Sequence, residues 1–145
     1  MVTPTPFRTR VVLRWADIDA NFHLRHSVYY DLCAQQRMEA LNQVGITLEW
    51  MRANHIGPVL FREECIFRRE IKLDDEVYLD LAVRPSDDPR RFSFVHTFTK
   101  ADGTYCATLT VEGAWMDTVQ RRLTPAPTGL QDAMKHLPPH SEQAS

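Results

Sequence analysis

From Gly57 onward the periodicity of this chain changes from helical to two, and that change restricts the folds open to it. Before it, Tyr30, Ala34, Met38, Leu41 and Val44 recur at helical spacing, with Asp31, Gln35, Glu39 and Asn42 on the other side. After it, the period is two. Val59, Phe61, Cys65, Phe67 and Ile71 share one parity, so residues 58–71 read as one long strand. Val77, Leu79, Leu81 and Val83 alternate with Tyr78, Asp80 and Arg84, and Phe92, Phe94, His96 and Phe98 alternate with Ser93, Thr97 and Thr99. Tyr105, Ala107, Leu109, Val111 and Trp115 form the last such run. Short turns at Leu73-Asp74-Asp75 and Ala101-Asp102-Gly103 join these runs, and Pro85 to Pro89 make a loop. One helix followed by consecutive alternating strands predicts an α+β architecture, a curled antiparallel sheet of about five strands wrapped around one long helix.

The flanking signals complete the outline. Val11, Leu13 and Trp15 predict a short first strand. Ser27 is placed to cap a helix running to about Val44, with Gly45 past its end, and a second short helix is expected over Leu48 to Asn54. Residues 1–136 are expected to form a single domain. The Pro-rich and then polar residues from 137 to 145 are expected to be a disordered tail.

Composition narrows the setting. The chain has 145 residues, 43% of them hydrophobic, a fraction that leaves a monomeric core incomplete. A five-stranded sheet also has exposed edges, so the expected assembly is a homodimer or a dimer of dimers. The net charge of −2 comes without long charged runs, which gives no footprint for nucleic acid. No stretch is long and apolar enough to predict a membrane span. Three cysteines with no Cys-x-x-Cys pair argue against disulfides and structural zinc, and a reducing cytoplasm is the expected location.

The densest chemistry lies between the first strand and the long helix, where Asp17, Asp19, His23 and His26 fall within ten residues. A helix N-terminus offers free N–H groups to developing negative charge, so acids and imidazoles beside one suit attack on an activated acyl group. Asp19, His23 and His26 are also possible ligands of a metal, but nothing else supports one, and no metal is expected. No Gly-x-Ser-x-Gly elbow is present.

These residues resemble the hot-dog fold, in particular the 4-hydroxybenzoyl-CoA thioesterase-like family of acyl-CoA thioesterases. The signature Asp-x-Asp followed by a loop and a helix with an early Tyr is matched by Asp17-Ile18-Asp19 through Tyr29. Arg37 and Glu39 on the helix, Phe67-Arg68-Arg69, and Leu73 to Val77 follow in the family's order, so the resemblance spans about residues 8–123. It implies an acyl-CoA thioesterase with no cofactor beyond the coenzyme A of its substrate. Asp19 would be the nucleophile or general base, and His26 would assist from the helix start. The N–H groups around His26 and Ser27 would hold the oxyanion. Trp15, Phe22 and His23 are further candidates to line the substrate site, and Arg90 and Arg91 to pair with the phosphates of coenzyme A. Asp17 is expected to buttress the loop. The family usually has Gly where Phe22 stands. A Phe resists positive φ, so a differently turned loop is expected. Two other functions remain open: a non-catalytic acyl-CoA binding protein, and an enoyl-CoA hydratase-like enzyme suggested by Asp19-Ala20-Asn21-Phe22-His23.

Overall fold

The computed structural model describes residues 4–140. Six strands and three helices follow in the order β1 (Phe7–Arg10), α1 (His26–Gln43), α2 (Leu48–Ala53), β2 (Ile56–Phe67), β3 (Val77–Arg84), β4 (Arg91–Lys100), β5 (Tyr105–Asp117), β6 (Arg122–Leu123) and α3 (Thr128–Met134). The strands form one antiparallel sheet in the order β1-β3-β4-β5-β2, with β6 on β5.

Alternation in β3, β4 and β5 makes the sheet one-sided. Leu79, Leu81, Phe94, Phe98, Leu109 and Val111 are all buried on the face toward α1. Each such side chain contributes about 1.5–3 kcal/mol of burial. Gly113 lets two neighbours close in, since a Cβ there would collide with the Val59 carbonyl oxygen and the Phe92 ring. The expected architecture is therefore present.

Its details differ in places. α1 buries Val28, Tyr29, Cys33, Gln36, Arg37, Ala40 and Leu41, while Ala34 is exposed. Two polar residues occupy the inward stripe because β4 presents them with a buried partner, His96. Arg37 Nη1 lies 3.2 Å from His96 Nε2, and His96 Nδ1 lies 2.8 Å from Gln36 Oε1. Gln36 Nε2 in turn donates to the Leu79 carbonyl at 2.6 Å.

The first strand lies at Phe7–Arg10, earlier than expected. Val11 still donates to Val77, but the chain then leaves the sheet for a 3-10 turn at Trp15–Asp17. Ser27 does not cap α1. Arg25 stands at the N-cap with no capping side chain, and its guanidinium donates to the Ser27 hydroxyl and the Ala16 carbonyl. β2 ends at Phe67 because Arg68 and Arg69 both turn their N–H groups to the Cys106 carbonyl. β6 and α3 have no counterpart among the expected elements. Pro127 precedes α3, which buries Leu130 and Ala133.

The tail expected from residue 137 begins instead as packed chain. Leu137 is buried, Val83 donates to Pro138, and His140 donates to Val83. Residues 141–145 lie outside the described residues.

Candidate active site

The loop between the 3-10 turn and α1 is closed by its own backbone. Asp19 N donates to the His23 carbonyl (2.9 Å), and Phe22 N donates to the Asp19 carbonyl (3.0 Å). Leu24 N reaches Ile71 (2.7 Å), and Arg25 N reaches the Asp17 carbonyl (2.8 Å). These bonds hold Phe22 at φ 67, so the chain makes a positive-φ turn with a Phe in place of the expected different path. The Phe22 side chain contributes little to packing, being 72% exposed.

Asp17 lies beneath this loop, almost fully buried. Arg14 grips it with two bonds of 2.8 and 3.0 Å and holds its carboxyl below the usual carboxylate range. It serves as the buttress the sequence suggested.

Asp19 is half-buried. Its Oδ1 accepts from Asn21 N (2.9 Å) and His23 N (3.3 Å), and Oδ2 has no protein donor among the described residues. The carboxylate borders a groove of about 300 Å³ that also touches His23, His26, Tyr29, Phe67 and Glu70. α1 begins at His26 on this groove. Helix geometry leaves the first-turn N–H groups of His26 and Ser27 without an intrahelical acceptor. An acid and a helix start on one groove can attack a carbonyl and stabilise the oxyanion that forms.

Of the residues anticipated from sequence, the groove gathers Asp19, His23 and His26. His23 Nε2 is 2.9 Å from Glu70 Oε2, which fixes the ring against the far wall. The other candidates do not line this groove in one chain. Trp15 is 72% exposed on the 3-10 turn, and the Ser27 hydroxyl accepts from Arg25. Arg90 is clasped by Asp88, whose carboxyl it pulls down to about 2. Arg91 stacks over Phe61 at 5.2 Å and faces a separate cavity of about 500 Å³ with Arg84 and Ser93.

Sequence reasoning missed six groove residues, Leu24, Tyr29, Phe67, Arg68, Arg69 and Glu70. Tyr29 is 3% exposed and packs edge-on against Phe67 (4.9 Å) and Phe98 (5.0 Å), and burial raises its phenol well above the usual value. Phe67 and Glu70 form the wall opposite Asp19, and only the end of β2 at Phe67 brings them there. The early Tyr and the Phe67-Arg68-Arg69 motif were the signals that could have found them. Burial pushes the Cys65 thiol up to about 12, so it offers no thiolate at neutral pH. Among the described residues, no group of three or more His, Cys, Asp or Glu side chains could hold a metal ion, and no helix is long and apolar enough to cross a membrane.

A curled antiparallel sheet along one long helix, with the groove at the helix start, is the hot-dog architecture. Residues 13–134 match the thioesterase-like superfamily, and the chain belongs to that family. Solved structures share its fold. A hypothetical protein from Staphylococcus aureus, determined in complex with CoA, is 21% identical over 99% of this chain and 94% of its own, with a TM-score of 0.86. A 1,4-dihydroxy-2-naphthoyl-CoA thioesterase from Synechocystis is 15% identical over 90% of this chain and 96% of its own, with a TM-score of 0.80. A gentisyl-coenzyme A thioesterase is 20% identical over 88% of this chain and 98% of its own, with a TM-score of 0.76. A search of curated protein sequences returns no significant match.

Proposed function

We propose that this chain hydrolyses an acyl-CoA thioester to a free carboxylic acid and coenzyme A, with Asp19 as the reacting carboxylate. The observation that carries the reading is the shared groove, with Asp19 and the first turn of α1 both on its wall. Family membership and the CoA-bound neighbour support the substrate class.

The chemistry needs few groups. A thiolate is a good leaving group, since free thiols ionise near ~8.5, so cleavage needs no strong acid. In one route Asp19 takes a proton from water while the water oxygen bonds to the carbonyl carbon. The oxyanion rests on the N–H that opens α1 at His26, a contribution of about 3 kcal/mol per donor. The C–S bond then breaks, and the proton held by Asp19 passes to the departing sulfur. In the other route Asp19 bonds to the carbon itself, the thiolate leaves, and water opens the resulting anhydride. Both routes consume one water and need no cofactor. His26 borders the groove where it can orient the water or the carboxylate.

The non-catalytic alternative draws its support from Phe22, in place of the usual Gly, blocking or reshaping the site. The positive φ and exposure of Phe22 favour the hydrolytic reading instead. We place the working protein in a reducing cytoplasm, since Cys33, Cys65 and Cys106 are all unpaired. We also place it in a homodimer or a dimer of dimers. Arg90 and Arg91 are proposed to meet the phosphates of coenzyme A, and Trp15, Phe22 and Ser27 to border the substrate from outside the groove.

The test is a thiol-release assay across short, long and aromatic acyl-CoAs, with Asp19→Asn beside the natural chain. Release by the natural chain and at least a ~100-fold loss in Asp19→Asn are expected. Equal turnover by the two rejects the role of Asp19. Tight acyl-CoA binding with no turnover selects the binding reading, and loss of enoyl absorbance without thiol release selects the hydratase.

A further inference from the structure

The proposed reaction places one backbone donor, the His26 N–H, on the thioester carbonyl oxygen. That oxygen gains charge as the tetrahedral intermediate forms, and a carbonyl oxygen has lone pairs for two donors. Tyr29 lies on the same groove, three residues further along α1. Residues three apart share a helix face, and helical side chains lean toward the N-terminus. The Tyr29 ring therefore runs back along the turn that His26 opens.

The ring has little freedom. Phe67 and Phe98 meet it edge-on at centroid distances of 4.9 and 5.0 Å, and only 3% of the residue is exposed. A tyrosine buried this far ordinarily gives its hydroxyl a partner, because leaving a buried hydrogen bond unmade costs about 1–3 kcal/mol. The Tyr29 hydroxyl has no hydrogen-bond partner among the described residues. Two other hydroxyls there, those of Ser93 and Thr108, lack partners and are sealed from solvent. The Tyr29 oxygen is not one of the sealed atoms, and the open space its residue borders is the groove.

Burial holds the proton on this phenol well above its ordinary range, and the charge of Asp19 is near enough to add to the effect. A phenol that keeps its proton so firmly is no nucleophile. It is also no acid for a departing thiolate, since thiols ionise near ~8.5. It is suited to donate a hydrogen bond to developing charge and keep the proton.

We propose that the Tyr29 hydroxyl is a catalytic residue of the hydrolysis, donating a second hydrogen bond to the thioester carbonyl oxygen beside the His26 N–H. The bond strengthens as the oxyanion forms. No covalent bond changes at Tyr29: its O–H stays intact while water or Asp19 bonds to the carbonyl carbon and the C–S bond breaks. Phe67 and Phe98 act through Tyr29 as positioning residues, because their contacts fix where its oxygen points. The inference rests on the hydrolytic reading of the groove and names a donor that the backbone does not supply.

Tyr29→Phe removes the oxygen and keeps the ring. The natural chain and this variant are compared on the acyl-CoA that the natural chain turns over fastest, or binds most tightly if it turns over none. Loss of the donor should lower kcat about 100-fold and leave KM within about threefold, because the bond counts mainly in the transition state. The same acyl-CoA, labelled with carbon-13 at the carbonyl, is then bound to Asp19→Asn and to Asp19→Asn/Tyr29→Phe, and its C=O stretch is read by infrared difference spectroscopy. Donors lower that stretch, so the shift from the free thioester should be smaller without the hydroxyl. Urea unfolding should find Tyr29→Phe at least as stable as the natural chain, since no bond within the protein is lost. An unchanged kcat, or an equal carbonyl shift in the two Asp19→Asn proteins, overturns the proposal. If Asp19→Asn still turns over, the kcat comparison decides. If the natural chain binds acyl-CoA without turnover, the carbonyl shift decides, so this hydrogen bond can stand where hydrolysis fails. Binding of no acyl-CoA rejects both.

Discussion

Acidification toward about pH 5 should strike this fold at His96, through a chain of bonds that allows the ring only one proton state. The Arg37 guanidinium has only donors, so His96 Nε2 facing it at 3.2 Å must be the acceptor. His96 Nδ1 then carries the hydrogen and donates to Gln36 Oε1 at 2.8 Å. A second proton would turn Nε2–H against a cation inside the core. Burial and the neighbouring Arg37 accordingly hold the ring's pKa down at about 3, from an ordinary 6.5. The unfolded chain binds a proton at His96 below about pH 6.5 while the folded chain does not, so stability is full above that pH and falls as pH drops toward 3. Each pH unit in the window costs about 1.4 kcal/mol, so moving from about pH 7.5 to about pH 5 removes about 2 kcal/mol through this one group. For a domain of this size that lowers Tm by about 4–8 °C. Urea unfolding of the natural chain and of His96→Gln at the two pH values isolates the effect, because Gln offers Arg37 an acceptor but cannot titrate. The variant should be less stable at neutral pH and should lose about 2 kcal/mol less on acidification. Equal losses in the two proteins would show that His96 charges freely in the fold, and the tautomer argument would fail with it.

Other outcomes follow from particular contacts. Gly113→Ala should cost about 1–3 kcal/mol in urea unfolding, because its Cβ meets the Val59 carbonyl and the Phe92 ring; a neutral result would show that β2 and β4 can move apart there. Phe22→Gly should raise stability by about 0.5–1 kcal/mol, as the relief of positive φ outweighs the added freedom of the unfolded chain, while Phe22→Ala should not. Asp17→Asn should flatten the fall in stability below about pH 4, since a carboxyl held low by Arg14 stabilises above its unfolded pKa and loses that contribution as pH falls through the folded one. Replacing Arg90 and Arg91 together by Ala should raise KM for an acyl-CoA more than for the matching acyl-pantetheine, and equal effects would count against phosphate contacts.

What could be read in advance was what local pattern encodes. Alternation in β3, β4 and β5 fixed which side chains face α1, because each residue's side of a sheet follows from parity alone. The helix was legible in extent but not in orientation. Gln36 and Arg37 turn inward because His96, some sixty residues away, supplies the bonds that make their burial tolerable, and no window around α1 contains that information. The 3-10 turn at Trp15–Asp17 differs, because its cause is local: the apolar alternation reads as strand, but Arg14 clasps Asp17 three residues on and bends the chain.

At the groove, Asp19 and His26 were visible as site residues and Tyr29 only as part of the motif, whereas Phe67 and Glu70 entered only through the place where β2 stops. The turn at Phe22 shows why a motif can outlast one of its residues. The bonds from Phe22 N to Asp19, from Asp19 N to His23 and from Asn21 N to the Asp19 carboxylate all run through the backbone or through Asp19 itself. None uses the Phe22 side chain. A Phe there costs about 1–2 kcal/mol of backbone strain, less than those bonds together supply. The carboxylate that closes the loop on one oxygen belongs to a residue that also borders the groove. Any change that frees the loop therefore also moves this carboxylate, so the fold of the loop and the activity proposed for Asp19 are coupled.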